Sequence, residues 1–170
     1  MTLRTTSRAV AAVGGSMLLL GLHLAPAAAD AAVELFTPTD PQLSEISGVT
    51  PDPAGGSYWV NQDAGREQLV YLLDASGDTV ATVRPTGLKT EDTEDLALLA
   101  DGEMVLGDTG DAFQLRKEQG NPKSRTRYQL VVFAVPEAGA TTSVIDSPAR
   151  SVPYEFPDGA TRNVEGFAVD

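Results

Sequence analysis

The sequence contains no cysteine and a single histidine, His23. No disulfide can therefore stabilise the fold, and thiol chemistry is excluded. His23 lies in an N-terminal segment that we expect to be cleaved, and the remaining chain has no imidazole. This excludes Ser-His-Asp triads, histidine general bases and histidine-ligated zinc. Any catalysis must depend on carboxylates, arginine, lysine, tyrosine, hydroxyl groups or a metal held by oxygen atoms.

Residues 1–29 have the features of a signal peptide. Arg4 and Arg8 precede an apolar stretch, and Ala27-Ala28-Ala29 forms a cleavage site of the A-x-A type. The apolar stretch is short for a bilayer span, which needs about 20 apolar residues. An uncleaved anchor helix is the alternative. We predict a secreted, extracellular protein that does not span a membrane once processed, with residues 30–170 as its domain.

Basic residues are few compared with acidic ones. Lys and Arg total 12 against 24 Asp and Glu, which gives a net charge of −12. Nucleic acid and anionic membranes would be repelled by such a surface, so neither is an expected partner, whereas cations are. We expect no organic cofactor.

Helical periodicity of useful length is also missing after residue 30. The chain has 16 Gly and 11 Pro, which recur between short apolar runs, a pattern typical of an all-β fold. Nine strands are predicted: Glu45–Thr50, Ser57–Gln62, Gln68–Asp74, Thr79–Arg84, Asp95–Ala100, Glu103–Asp108, Tyr128–Val135, Thr142–Ile145 and Ser151–Phe156.

Two of these runs, residues 69–73 and 128–135, are apolar at consecutive rather than alternate positions. A strand with one face in water alternates, whereas a strand buried on both faces does not. We therefore predict that both strands are covered on both sides, and that other sheets provide the cover.

A weak internal repeat relates residues 47–50, 94–97 and 165–168. The first two segments are each followed by a turn and by a strand that ends on an aspartate, Asp63 or Asp108. Without an extra polar loop in the second interval the period is about 50 residues, within the range of a four-stranded propeller blade. Chance similarity among β-hairpins is the alternative.

Six short segments extend this pattern along the chain: Ile46–Val49, Trp59–Gly65, Val70–Gly77, Glu94–Ala97, Gly107–Asp111 and Asn163–Asp170. With these segments the chain resembles the opening blades of secreted six-bladed β-propellers, in particular the esterase-like phytase family and, more distantly, the calcium-dependent gluconolactonase-type propellers. The resemblance implies a partial β-propeller of four-stranded antiparallel blades. Six blades need roughly 270 residues, so we predict a C-terminally truncated propeller that can associate through open blade faces. A complete small β-sandwich or barrel is the alternative.

Acidic residues cluster at predicted strand ends and turns. In a propeller, inner strands begin at the central channel, so carboxylates from neighbouring blades would converge there. Facing carboxylates repel each other unless a cation lies between them, and Ca²⁺ takes six to eight oxygen ligands. We predict a calcium site from Asp63, Glu94, Asp108, Asp111 and Glu165. Solvated turn carboxylates are the alternative.

In the gluconolactonase-type relatives a glutamate at the first repeat position contributes to the metal site. This sequence has Ser47 at that position, which argues against a lactonase-like site.

Residues 113–127 form a basic loop. Its arginines Arg116, Arg125 and Arg127 are candidate substrate-binding residues, because guanidinium groups beside a bound cation suit a phosphate ester. A solvated surface loop is the alternative.

Three functions agree with these features. The first is an exported propeller domain that binds an unknown small molecule and holds a calcium ion. The second, implied by the resemblance, is a metal-dependent hydrolase of esters or phosphoesters. The third is a non-catalytic interaction fragment. The sequence leaves open whether the protein is an enzyme.

Overall fold

The computed structural model describes residues 34–63, 67–111, 117, 120, 125, 127–136 and 143–169. Eight β-strands run through these residues: β1 (Ile46–Pro51), β2 (Tyr58–Gln62), β3 (Val70–Leu73), β4 (Thr79–Thr86), β5 (Thr93–Leu98), β6 (Glu103–Asp108), β7 (Tyr128–Ala134) and β8 (Val144–Tyr154). The all-β prediction is confirmed. The predicted signal peptide, Arg116 and most of the basic loop lie outside the described residues.

Seven predicted strands match an observed strand, but the last two predicted strands are one strand, β8. Its first half pairs in parallel with β4 and its second half pairs with β7. Each half therefore has one open edge, where a proline is tolerated because its missing N–H is not needed by a neighbour. Pro148 lies where the partners change, between the two segments that were predicted as separate strands.

The strands form two antiparallel meanders, β1 to β4 and β5 to β8. The parallel pair of β4 and β8 joins them into one sheet of order β1-β2-β3-β4-β8-β7-β6-β5. Its two end strands, β1 and β5, lie side by side, so the sheet is a nearly closed barrel. This architecture agrees with the barrel alternative, and each meander has the four antiparallel strands expected of a blade.

The inner faces of the two meanders share one apolar core. Its fully or almost fully buried members are Trp59, Val70, Leu72, Ala81 and Val83 from the first meander and Leu96, Met104, Leu106, Val131 and Phe133 from the second. Burial of one such large side chain contributes roughly 1.5–3 kcal/mol. The two meanders are therefore held face to face by the hydrophobic effect.

Strand β3 is buried on both faces, as its consecutive apolar residues predicted. Tyr71 and Leu73 lie on the face opposite the core, where they pack with Leu43 and Phe36. The cover on this side is thus the irregular segment before β1, and the prediction that other sheets provide the cover is wrong there. In β7 the two-sided burial is partial, since Ala134 is exposed.

Strands β1 and β5 approach each other without a strand ladder in the described part of the chain. The buried side chain of Asn61 joins them instead: its Oδ1 accepts a hydrogen bond from Gly48 N at 3.1 Å and its Nδ2 donates to Thr93 O at 3.2 Å. A Cβ at position 48 would lie 2.8 Å from Asp95 Cα. Glycine is therefore required by the close approach of the two backbones.

Candidate metal centre

Three carboxylates meet at one end of the barrel. Asp63 directly follows β2, while Asp92 and Glu94 lie at the beginning of β5. One oxygen atom from each lies within 4.8 Å of the other two. Asp92 and Glu94 are 3% and 4% exposed, and Asp63 is half-buried. These three residues, named the acidic triad below, can hold a metal ion.

The strand geometry explains why the triad forms. Asp92 and Glu94 are two residues apart, so in an extended backbone their side chains point to the same side. Thr93 lies between them and contacts the end of β2, because its Oγ1 lies 3.2 Å from Gln62 O. The same contact brings Asp63, the next residue after Gln62, to the beginning of β5.

The close approach of these carboxylates disfavours the charged form of Glu94. Burial, together with the negative charges of three neighbouring carboxylates, raises the pKa of the Glu94 side chain to about 7. The three neighbours are Asp63, Asp92 and Glu165. Ser47 Oγ donates a hydrogen bond to Glu94 Oε2 at 3.1 Å, which opposes the rise only partly. A cation bound between the carboxylates would remove this repulsion.

Gly110 covers the triad and leaves no room for a side chain. A Cβ on this residue would overlap Glu94 Oε1 and would lie 2.5 Å from Asp92 Oδ2. The Gly110 backbone does not have a positive φ, so the requirement for glycine comes from space alone. Its N–H, like that of Thr109, donates to Asp92 O, at 3.2 and 3.1 Å respectively.

We expect Gly110→Ala to displace the carboxylates of Glu94 and Asp92 and to weaken metal binding by at least about tenfold. Calcium titration calorimetry measures this loss. Gly166→Ala is the matched control, because a Cβ there would meet its nearest atom at 3.6 Å, an ordinary contact. Equal calcium affinities of the two variants would contradict the close approach of Gly110 to the triad.

Asp108, predicted as a ligand, lies instead in a buried ion pair. Its Oδ1 accepts from Arg125 Nη1 at 2.8 Å and from the backbone N–H groups of Glu91 and Asp92 at 3.1 and 2.9 Å, while its Oδ2 accepts from Gln129 Nε2 at 2.8 Å. Burial raises the pKa of Asp108, but the hydrogen bonds and the arginine charge outweigh it and hold the pKa below its ordinary value. This carboxylate is fully engaged outside the triad.

The two described arginines of the basic loop are also engaged. Arg125 is buried against the ring of Tyr128, with its Cζ 5.1 Å from the ring centroid, and its Nη1 donates to Gly110 O at 3.1 Å as well as to Asp108. Arg127 is exposed and forms an ion pair with Glu155 at 3.2 Å. Neither guanidinium points freely at the triad.

The remaining predicted ligands, Asp111 and Glu165, are linked to each other through Asn163, and neither belongs to the acidic triad. Asp111 N donates to Asn163 Oδ1 at 2.6 Å, and Asn163 Nδ2 donates to Glu165 Oε1. The residue after Asn163, Val164, accepts from Thr109 Oγ1 at 2.7 Å. Glu165 lies close enough to raise the pKa of Glu94, whereas Asp111 Oδ1 accepts from Arg125 N at 3.4 Å.

Sequence reasoning therefore placed two triad members, Asp63 and Glu94, among five predicted ligands, and it missed Asp92. The signal for Asp92 was present, since an acidic residue two positions before Glu94 shares its face of a strand.

A cavity of about 410 Å³ lies at the same end of the barrel. Its lining includes Glu67, Gln68, Arg84, Leu88 and Lys89. Its residue Gln68 contacts the beginning of β5, because Gln68 Oε1 accepts from Thr93 Oγ1 at 2.5 Å. The cavity offers space for a small molecule, and no triad residue lines it.

No family model, curated protein or solved structure matches this chain. The resemblance to phytase-like propellers stays a prediction. Among the residues that the structure describes, no helix has the length and apolar character to cross a membrane. The fold and the acidic triad therefore carry the argument about function.

Proposed function

We propose that this protein is an exported ligand-binding domain whose acidic triad holds a calcium ion. The observation that carries the proposal is the meeting of three carboxylate oxygens within 4.8 Å, two of them on almost fully buried residues. Three negative charges held this close repel one another strongly, and a divalent cation converts that repulsion into attraction. Glu165, which lies near Glu94, is the natural fourth carboxylate.

The donor set favours calcium over other metals. All three ligands are hard carboxylate oxygens, which suit Ca²⁺, Mg²⁺ and Mn²⁺ rather than zinc or copper. Mg²⁺ demands near-ideal octahedral geometry and retains several waters, whereas Ca²⁺ accepts irregular geometry and more ligands. The triad comes from two separate strand ends, and one of its members, Asp63, is partly exposed, so the arrangement is irregular. A dissociation constant of about 10⁻⁴ M is typical of extracellular calcium modules.

Titration calorimetry with calcium chloride on chelator-treated protein tests this proposal. We expect one site, with the affinity lowered at least about tenfold by Asp92→Asn or Asp63→Asn, because each removes one negative ligand. Asp101→Asn is the matched control: Asp101 is an exposed turn carboxylate between β5 and β6, at the opposite end of the barrel. Absence of binding heat with calcium, or equal losses in all three variants, would refute the proposal.

The site gives less support to a metal-dependent hydrolase of esters or phosphoesters. That hypothesis requires free guanidinium groups beside the ion to take the oxygens of the substrate. Arg125 is bonded to Asp108, and Arg127 is paired with Glu155. Binding of an ion at the triad, with a small molecule in the cavity between Gln68 and Arg84, needs neither Arg125 nor Arg127.

A further inference from the structure

We infer that the buried ion pair of Asp108 and Arg125 positions the acidic triad by fixing the backbone on two sides of it. The pair lies outside the set of metal ligands but is bonded to Asp92 and Gly110, which line the triad. The inference rests on the proposed ion site. Asp108 and Arg125 act on the ion site through Asp92 and Gly110, so they are positioning residues rather than ligands.

The first connection runs from Asp108 to a triad member. Asp108 Oδ1 accepts from the N–H groups of Glu91 and Asp92, at 3.1 and 2.9 Å. These two bonds fix the backbone immediately before β5. Because the Asp92 side chain extends from this backbone, the direction in which its carboxylate points depends on Asp108.

The second connection runs through Arg125 to the residue that covers the triad. One nitrogen, Arg125 Nη1, donates both to Asp108 Oδ1 at 2.8 Å and to Gly110 O at 3.1 Å. The Gly110 N–H in turn donates to Asp92 O at 3.2 Å. The bonds close a ring through Asp108, Asp92, Gly110 and Arg125, so displacing one member strains its bonds to the next.

The burial of the pair indicates a role beyond stability. Only 6% of the Arg125 side chain and 1% of the Asp108 side chain are exposed. Removing two charges from water is costly, and well-packed apolar residues often stabilise a fold as well or better. An ion pair offers what apolar packing lacks, namely directed bonds to backbone groups whose positions set the spacing of the triad.

Neutral net charge is a second property of the pair that suits this role. The positive charge of Arg125 cancels the negative charge of Asp108, so the pair leaves the attraction of the triad for a cation nearly unchanged. Residues that orient metal ligands in this way typically affect metal affinity 10- to 100-fold when replaced. The same magnitude is expected here.

The test compares Asp108→Asn, Arg125→Ala and Arg125→Lys in the purified protein by calcium titration calorimetry, well below the melting temperature of each variant. We expect Asp108→Asn and Arg125→Ala to weaken calcium binding by about 10- to 100-fold. Arg125→Lys should retain most of the affinity, because an ammonium group can still donate to Asp108 and Gly110. Arg150→Ala is the control, since it removes an exposed ion pair with Glu103, and its affinity should equal that of the wild type.

A purely structural role would lower the melting temperature of the ion-free variants and leave the calcium affinity of the folded protein unchanged, and this result would overturn the inference. If Arg125→Ala does not fold, the asparagine and lysine variants decide, because both keep the volume and a polar group. If the wild type binds no calcium, the proposed function falls together with the inference. If the wild type binds and Asp108→Asn binds equally well, the inference alone falls.

Discussion

Replacing Asn61 with leucine should lower the free energy of unfolding by about 3 kcal/mol. Leucine has the same branched outline as asparagine and is not smaller, so the loss comes from hydrogen bonds rather than from a cavity. The substitution leaves Gly48 N and Thr93 O, which Asn61 now joins, buried without that partner. Each buried group without a partner costs roughly 1–3 kcal/mol.

Urea unfolding followed by tryptophan fluorescence measures this loss. The chain has one tryptophan, and Trp59 is 1% exposed in the folded protein, so its emission reports the opening of the core. Gln62→Leu is the matched control, because the Gln62 side chain is half-buried and its Oε1 accepts from the N–H groups of the exposed Ser44 and Glu45. We expect this control to lose less than about 1 kcal/mol.

Asn61 matters for the site as well as for stability. It holds β1 against β5, and this contact brings Ser47 within 3.1 Å of Glu94. A loss below about 1 kcal/mol for Asn61→Leu, or a loss equal to that of the Gln62 control, would contradict the claim that one side chain replaces a strand ladder at this seam.

The sequence predicted those parts of the fold that depend on neighbouring residues. The turn at Ala75-Ser76-Gly77-Asp78 is an example: Gly77 has a φ of 84°, and its N–H donates to Asp74 O at 3.0 Å. Glycine tolerates a positive φ and aspartate binds turn backbone, so local chemistry is enough to indicate the turn. The same holds for the strands on either side of it.

Parts that depend on distant residues were not predictable in this way. The parallel pairing of β4 with β8 joins Thr82 to Val144, and no local pattern encodes such a partner. The cover of β3 is similar, because Phe36 and Leu43 come from an irregular segment whose packing depends on the finished sheet.

The candidate site also combines features that neighbouring residues determine with features that distant residues determine. Asp63 and Asp108 both end a strand in the repeat, and the sequence offers no reason to separate them. Their environments differ because Arg125, which is 17 residues from Asp108 in the chain, pairs with Asp108, whereas Asp63 lies with Asp92 and Glu94. Whether a carboxylate joins an ion pair or the triad therefore depends on long-range contacts rather than on the motif around it.

Glu94→Gln is expected to destroy calcium binding and, at the same time, to raise the melting temperature of the ion-free protein at pH 8 by about 5 °C. The two effects have one cause. A glutamine has nearly the same shape as glutamate but carries no charge, so it neither repels the neighbouring carboxylates nor attracts a cation.

The direction of the pH dependence follows from the raised pKa of Glu94, about 7 in the folded protein against an ordinary value of 4.5. The folded state holds this proton more tightly than the unfolded state, so the stabilising contribution is fully present below about pH 4.5 and is lost as the pH rises through about 7. The ion-free wild type should therefore melt at a lower temperature at pH 8 than at pH 5, with the loss concentrated between these values. Glu94→Gln should remove this part of the pH dependence, whereas Glu45→Gln, at an exposed position, should retain it.

Calcium should reverse the loss only in proteins that retain Glu94. At pH 8 the bound ion replaces the proton as the partner of the Glu94 carboxylate, so saturating calcium raises the melting temperature of the wild type and of Glu45→Gln but not that of Glu94→Gln. Below pH 7 protons compete with the ion, so the calcium affinity falls as Glu94 becomes protonated. Differential scanning calorimetry from pH 5 to pH 8, with and without calcium, measures all of these effects. A Glu94→Gln variant that melts below the ion-free wild type at pH 8 would mean that the triad carboxylates do not repel one another, and the electrostatic reason for an ion at this site would be lost.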